Sequence, residues 1–581
     1  DVHRDPEIQK ESKECADLLD PFYVGLWLRR DLYTAIKDIA VKGTAQTRLK
    51  TQTIKAFENN GLKLSDEKLA ELKKMQEEEA KLASDFRFNI SQDKTTVSFS
   101  EKELEGAEAD FLARLKKDSN GNYVVTTKGP DYTAVLENVK VPETRRKMAI
   151  AYLTRAPQNI DILKKIIQLR QKMADLLGYK TWADYKTSVG RMAKSGDEVW
   201  SFINGIKDKL AIGNRKDLKV LADFKKEIAP NEGDLKSYDL AYLAYQYKKK
   251  YLQLDNEVIK QYFPADRTVE QMFQIYSQLL GVRFEKIQDA SVWSPDVSMF
   301  KVIDKKTKQE IAYFYTDFIP RENKYEHAAA FNVRTGRILP NGQYLKPISS
   351  IVANFQPAAP GKPVLMDHDE VNTLFHEFGH IMHQTLTRAP YASLAGTAVA
   401  RDFVEAPSQM LEAWVWNKAM LEKISGHYTD SKKKLPKDLI AKMLKARDFN
   451  QSNIYTRQLW YGTIDMTYHS NPPTSLDTTQ VQQKLYKEIV GVEPMPESKF
   501  EAGFGHLMGY DAGYYGYIWS EVFAEDMFSE FQKAGLLSSK IGAKYRKHIL
   551  EPGNMRDADV LIREFLGRKP SNKPFFNRLG I

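Results

Sequence analysis

The chain has 581 residues, 28% charged and 42% apolar, with a formal net charge of +9. No apolar run approaches the ~20 residues that span a bilayer, so a membrane role is not expected. Lysine and glutamate interleave, as in KLAELKKMQEEEAKLASDF (68–86), so the surplus charge reads as solvated helix surface and argues against a nucleic-acid partner.

Cys15 is the only cysteine, which excludes an internal disulfide and favours a reducing, cytoplasmic location. The chain begins at Asp1 without methionine or an apolar signal segment, so the N-terminus reads as processed or trimmed, with a mitochondrial location from a lost signal as the alternative. Sequons at Asn89 and Asn450 would matter only after secretion. The first 290 residues read as successive helices. Ser65 with Asp66 and Glu67 opens one, Pro142-Glu143 opens another, and Asp161 to Leu177 is apolar at helical spacing with Gly178 at the stop position. In 237–252, Tyr238, Tyr242 and Tyr245 share a face that packs between helices or walls a cavity. Between Ser291 and Phe355 the pattern turns to strands, at Met299 to Asp304, Glu310 to Ile319 and Ile348 to Phe355. After residue 400 helices return.

The run DHDEVNTLFHEFGHIMHQ follows the strands. Asp367 and Glu370 are spaced as a capping box, which starts a helix running through His376 and His380. Histidines four apart on a helix point the same way, so both can reach one metal ion with Glu377 beside them, which suits a zinc hydrolase. A catalytic zinc takes three protein ligands and keeps a position for water. His383 lies one turn too far along and reads as packing or as support for the ligands. A carboxylate remains, and RDFVEAPSQMLEAW (401–414) offers Asp402, Glu405 and Glu412. Glu405, among apolar neighbours, is costly to bury unless paired or metal-bound. The plain alternative is a helix-start carboxylate favoured by the dipole. Further on, His506, Tyr510, Tyr514 and Tyr517 share a stretch with Gly505, Gly509, Gly513 and Gly516. By residue type alone it is an aromatic packing segment; as a flexible loop it could close over a carbonyl oxygen.

HEFGHIMHQ, GTAVARDFVEAPSQMLEAWVW and GHLMGYDAGYYGYIWSEVFAEDMF, with PRENKYEHAAAF (320–331) and VANF (352–355), resemble the thimet oligopeptidase, neurolysin and saccharolysin family of zinc metallo-oligopeptidases. The similarity runs from VPETRRK to the C-terminal IREFLGRKP. The resemblance implies a mainly α, neurolysin-like fold of two helical walls with a deep channel, and a small β-sheet near the zinc site. It implies an N-terminal helical region over 1–133 and a catalytic region over 134–581.

Carried over by position, the resemblance makes His376, His380 and Glu405 the ligands of one Zn2+ per chain, and Glu377 the general base. It makes Tyr517 and His506 transition-state donors and Tyr510, Tyr514 and Gly513 substrate contacts. The substrates implied are short unstructured peptides, cut internally by a monomeric enzyme; a catalytically weak peptide-binding protein of the same fold is the alternative. The chain departs from the family pattern by one glycine missing before Tyr510 and by alanines at 398 and 400. The VANF segment is either an edge that pairs with an extended peptide or a structural strand.

Overall fold

The computed structural model describes residues 2–254, 256–321, 324, 328–355, 361, 363–470 and 476–581. Positions 322, 323 and 325–327 of the PRENKYEHAAAF segment therefore lie outside the described residues. Helices start where the sequence supplies caps. Ser65 accepts from the Lys68 amide at the head of Asp66–Ser91, and Pro142 occupies the first turn of Pro142–Leu153. Asn159–Leu176 ends just before Gly178, whose φ of +82° turns the chain out of the helix.

Three sheets interrupt the helices. The expectation of an all-helical first half misses a small antiparallel sheet of β1 (Thr96–Phe99), β2 (Lys116–Lys117) and β3 (Tyr123–Thr126), in the order β1-β3-β2. These strands are too short for a period of two to stand out. The main sheet holds β4 (Val282–Lys286), β5 (Ser298–Asp304), β6 (Glu310–Asp317), β7 (Ala329–Arg334) and β10 (Ile348–Val352), ordered β4-β5-β6-β10-β7. Two-residue strands β8 (Arg337–Ile338) and β9 (Tyr344–Leu345) form a separate pair.

The edge next to the metal-motif helix is β7, not VANF. Strand β10 is parallel to β6 on one side and antiparallel to β7 on the other. Its backbone groups are therefore paired within the sheet, and VANF is a structural segment.

Two large cores organise the molecule. The first joins the main sheet to the metal-motif helix and to residues between Phe403 and Leu566, with Phe263, Phe314, Phe378 and Trp414 fully buried. The second brings Phe86 and Leu163 together with Leu459, Tyr515 and Phe576, so it is assembled from both ends of the chain. A cavity of about 1100 Å³ is lined from the first by Ala413, Trp416 and Phe528 and from the second by Tyr455. The tyrosines of 237–252 divide their work. Tyr238 and Tyr242 pack on smaller cores, the latter with the Arg145 guanidinium 4.1 Å from its ring centroid, while Tyr245 lines a second cavity. No described helix is long and apolar enough to cross a membrane.

Candidate active site

The metal-motif helix spans His368–Leu386, and its capping box is formed. The Glu370 amide donates to Asp367 at 2.8 Å and the Asp367 amide donates to Glu370 at 2.9 Å. Phe378, between the two histidines, sets the rotation of the helix. Its ring centroid lies 4.9 to 5.5 Å from those of Tyr276, Phe273, Phe314 and Phe284. Anchoring that face in the core turns His376, Glu377 and His380 toward the opposite side.

Gly379 has a separate reason. A Cβ there would stand 2.9 Å from Ser408 Cα and 3.1 Å from Leu411 Cδ1. Only glycine lets the helix Ala406–Glu412 cross this closely, and that crossing delivers Glu405 from the residue just before it.

Glu405 Oε2 lies 3.2 Å from His376 Nε2 and 3.2 Å from His380 Nε2. Three ligands of a tetrahedral zinc at ~2.1 Å stand roughly 3.4 Å apart, so the donor set fits that ion. Among the described residues this is the one His/Cys/Asp/Glu group of metal-binding geometry. The other nitrogen of His376 is held by Glu412, with Nδ1 to Oε1 at 2.7 Å; Asn372 donates to that carboxylate at 2.9 Å and Trp416 donates to Asn372 at 3.0 Å. This chain leaves Nε2 facing the ion position. Burial disfavours charge on His376, yet Glu405 and Glu412 outweigh it and push its pKa up to about 10. Burial acts against the Glu405 carboxylate too, and the two histidines still hold it well below the usual carboxylate range. A point where two carboxylates converge this strongly on imidazoles is a point that attracts a cation.

The remaining candidates fall into place around this group. Glu377 is buried, which raises its pKa, while His376, His380 and the Ala330 amide of β7 lower it. His383 is fully buried with neither ring nitrogen hydrogen-bonded, and burial lowers its pKa to about 3, so it is a neutral packing group. Asp402 is a brace: it accepts from the Ala193 amide at 3.0 Å and the Tyr515 hydroxyl at 2.8 Å.

The aromatic stretch lies beside Glu405. The helix Gly516–Ala534 packs on the Asp402 turn, where Ser520 Oγ donates to the Asp402 carbonyl at 2.8 Å. Rings of Tyr510 and Tyr514 lie 5.4 and 5.1 Å from Tyr517, and His506 lies 6.2 Å from it. Burial, then Tyr510 and the Glu405 charge, push the Tyr517 phenol up to about 12. It therefore stays protonated at neutral pH and keeps a hydrogen to donate. Burial lowers the His506 pKa, which favours a neutral ring. Tyr514 directs its hydroxyl to Gln458 Oε1 at 3.0 Å. The Gly513 amide is engaged by Asp465, and a Cβ there would meet Arg191 Nη2 at 2.5 Å.

This segment is not the flexible loop that its glycines suggested. The amides of Ala512, Gly513 and Tyr514 all donate to the buried Asp465 carboxylate, at 2.8, 2.8 and 2.9 Å. Asp511 accepts from Trp182 Nε1 at 2.6 Å and lies 3.3 Å from Lys186 and 3.5 Å from Arg170. Asp465, Asp511, Arg170 and the glycine role of Gly379 escape a reading of motifs. The available signal was an aspartate inside the apolar run WYGTIDMTYH, since a carboxylate buried there needs donors.

Comparisons with known proteins identify the family. A sequence profile described as peptidase family M3 matches residues 135–581. Thimet-like oligopeptidase from Dictyostelium discoideum is 33% identical, covering 99% of this chain and 89% of the relative. Saccharolysin from Saccharomyces cerevisiae is 33% identical over 100% of this chain and 85% of its own length, and oligopeptidase A from Escherichia coli 30% over 100% and 89%. Among solved structures, "PZ peptidase A with inhibitor 2" superposes with a TM-score of 0.58 at 14% identity, covering 100% of this chain and 87% of that one, a likeness of fold.

Proposed function

The chain belongs to peptidase family M3 and is a metallo-oligopeptidase, and on that premise we propose that it is zinc-dependent and hydrolyses internal bonds of short unstructured peptides. The observation that carries the zinc reading is the convergence of His376 Nε2, His380 Nε2 and Glu405 Oε2 on one point. Zinc bound by these three would act as a Lewis acid toward the scissile carbonyl and acidify an attacking water.

The chain's own groups supply the rest. Glu377, buried beside the ligands, accepts the proton of the attacking water and returns it to the leaving amine. Tyr517, protonated at working pH, donates to the oxygen on which negative charge develops, and a neutral His506 can share that task. Glu412, whose carboxylate holds His376, also lines the cavity of about 1100 Å³, so open space reaches the neighbourhood of the metal group.

The test pairs metal analysis with cleavage of a quenched-fluorescent peptide. Wild type should carry about one zinc and lose activity on chelation. Glu377→Gln should keep the zinc and lose ~10²–10⁴-fold in turnover. Wild-type rates in that variant would sink the assignment of the base. A metallated wild type that binds peptides without cutting them would point to the peptide-binding alternative.

A further inference from the structure

The loop that carries the phenols is held by a buried anion that takes no direct part in the chemistry. Asp465, in the helix Gln451–His469, is 1% exposed. Its Oδ1 accepts from the Ala512 amide at 2.8 Å, and its Oδ2 accepts from Gly513 at 2.8 Å and Tyr514 at 2.9 Å. Three successive amides can converge on one carboxylate because Ala512 sits in the left-handed region, at φ +47°. A non-glycine residue in that conformation carries strain, which persists only where its surroundings impose it.

A fourth donor completes the shell. His469 Nδ1 lies 2.8 Å from the Asp465 carbonyl oxygen and 3.0 Å from Asp465 Oδ1, and its Nε2 lies 2.9 Å from Arg170 Nη1. A guanidinium can only donate, so Nε2 accepts and the ring proton is on Nδ1, directed at Asp465. Arg170 in turn donates to the Leu507 carbonyl at 2.8 Å and pairs with Glu79 at 2.7 Å. The Asp–His pair thus looks like part of a nucleophilic triad but faces backbone amides, with no hydroxyl or thiol nucleophile on the line.

The hold passes directly to Tyr517. The Gly516 amide donates to the Gly513 carbonyl at 2.9 Å and the Tyr517 amide to the Tyr514 carbonyl at 3.3 Å, so the residues fixed by Asp465 make the turn that leads into the helix Gly516–Ala534 carrying Tyr517. We infer that Asp465 is a positioning residue for peptide hydrolysis: by gathering the amides of Ala512, Gly513 and Tyr514, it fixes where the Tyr517 phenol stands relative to the metal group. This rests on the assignment of Tyr517 as a transition-state donor.

The test is a double-mutant cycle on the full chain with zinc content measured throughout. Asp465→Asn keeps one acceptor oxygen but sets an amide group against the donors. Turnover should fall by ~10²-fold with KM changed less than about threefold and zinc unchanged. A role confined to stability would give the same turnover loss, or none, whether or not Tyr517 is intact. A positioning role requires that Asp465→Asn cost almost nothing further in a Tyr517→Phe background. Additive losses, or full turnover in Asp465→Asn, would overturn the inference. Should that variant not fold, His469→Gln, which disturbs one of the four donors, should show about a tenfold loss and the same non-additivity. A wild type without peptidase activity would instead defeat the functional reading itself, and the cycle would have nothing to measure.

Discussion

The two sides of the site treat buried charge in opposite ways. On the metal-motif side, Glu405 Oε2 lies 3.2 Å from each of two imidazole nitrogens, and among the described residues no lysine or arginine pairs with it. On the loop side, every comparable charge already has its partners: Asp465 has four donors, and Asp511 has Trp182, Lys186 and Arg170. One side leaves its electrostatics open for a ligand, and the other uses its electrostatics to hold backbone. Burial of an unpaired charge is unfavourable, so an open group marks a binding point and a closed one marks a scaffold.

The sharpest way to break this contrast is Glu405→Gln. Loss of the shared carboxylate should weaken zinc binding by more than the ~100-fold typical of a supporting residue, abolish cleavage, and leave the metal-free fold intact. Metal analysis and thermal unfolding check both halves. A fully metallated, active variant would transfer the ligand role to Glu412.

Asp511→Asn should do the reverse, costing about 3 kcal/mol of stability, as for breaking a buried ion pair, while zinc binding persists. Burial alone would raise the Asp511 pKa, but Arg170 and Lys186 outweigh it and hold the carboxyl far below its ordinary range. With the folded value below the unfolded one near ~3.9, its contribution is present above that pH and is lost as pH falls below it. Denaturant titrations should therefore show a gentler acid-side decline in the variant. An unchanged acid limb would mean that Asp511 is not the charge that matters there.

Tyr517→Phe probes the one group through which the scaffold reaches the chemistry. Turnover should drop ~10²-fold with little change in KM, since the phenol acts as charge develops. A raised KM with turnover unchanged would make it a substrate contact. Smallest is Glu412→Gln, which keeps the carbonyl facing His376 but removes the charge. Zinc affinity should fall ~10-fold to 100-fold, read by chelator competition, with turnover of the loaded enzyme nearly preserved. No change would show that His376 needs no such support.

The metal-motif side was legible because its parts are local. The capping box and the i,i+4 histidines lie within one helix whose geometry relates them without knowledge of the fold, and the resemblance adds the carboxylate 25 residues after His380. The need for glycine at 379 shows only once the crossing helix is in view. The loop side resisted because its determinants come from five places in the chain: Glu79, Arg170, Trp182 with Lys186, Asp465 with His469, and Asp511.

The sequence alone therefore determined the paired histidines on one helix face, the helical character of the chain and its family resemblance, because periodicity and short spacing act over a few turns. Tertiary structure alone decided that β7 and not VANF is the sheet edge, that Tyr514 turns toward Gln458, and that the glycine-rich segment is pinned. Those outcomes depend on which distant donors reach a buried carboxylate and which strands share a ladder, and no local pattern carries that information.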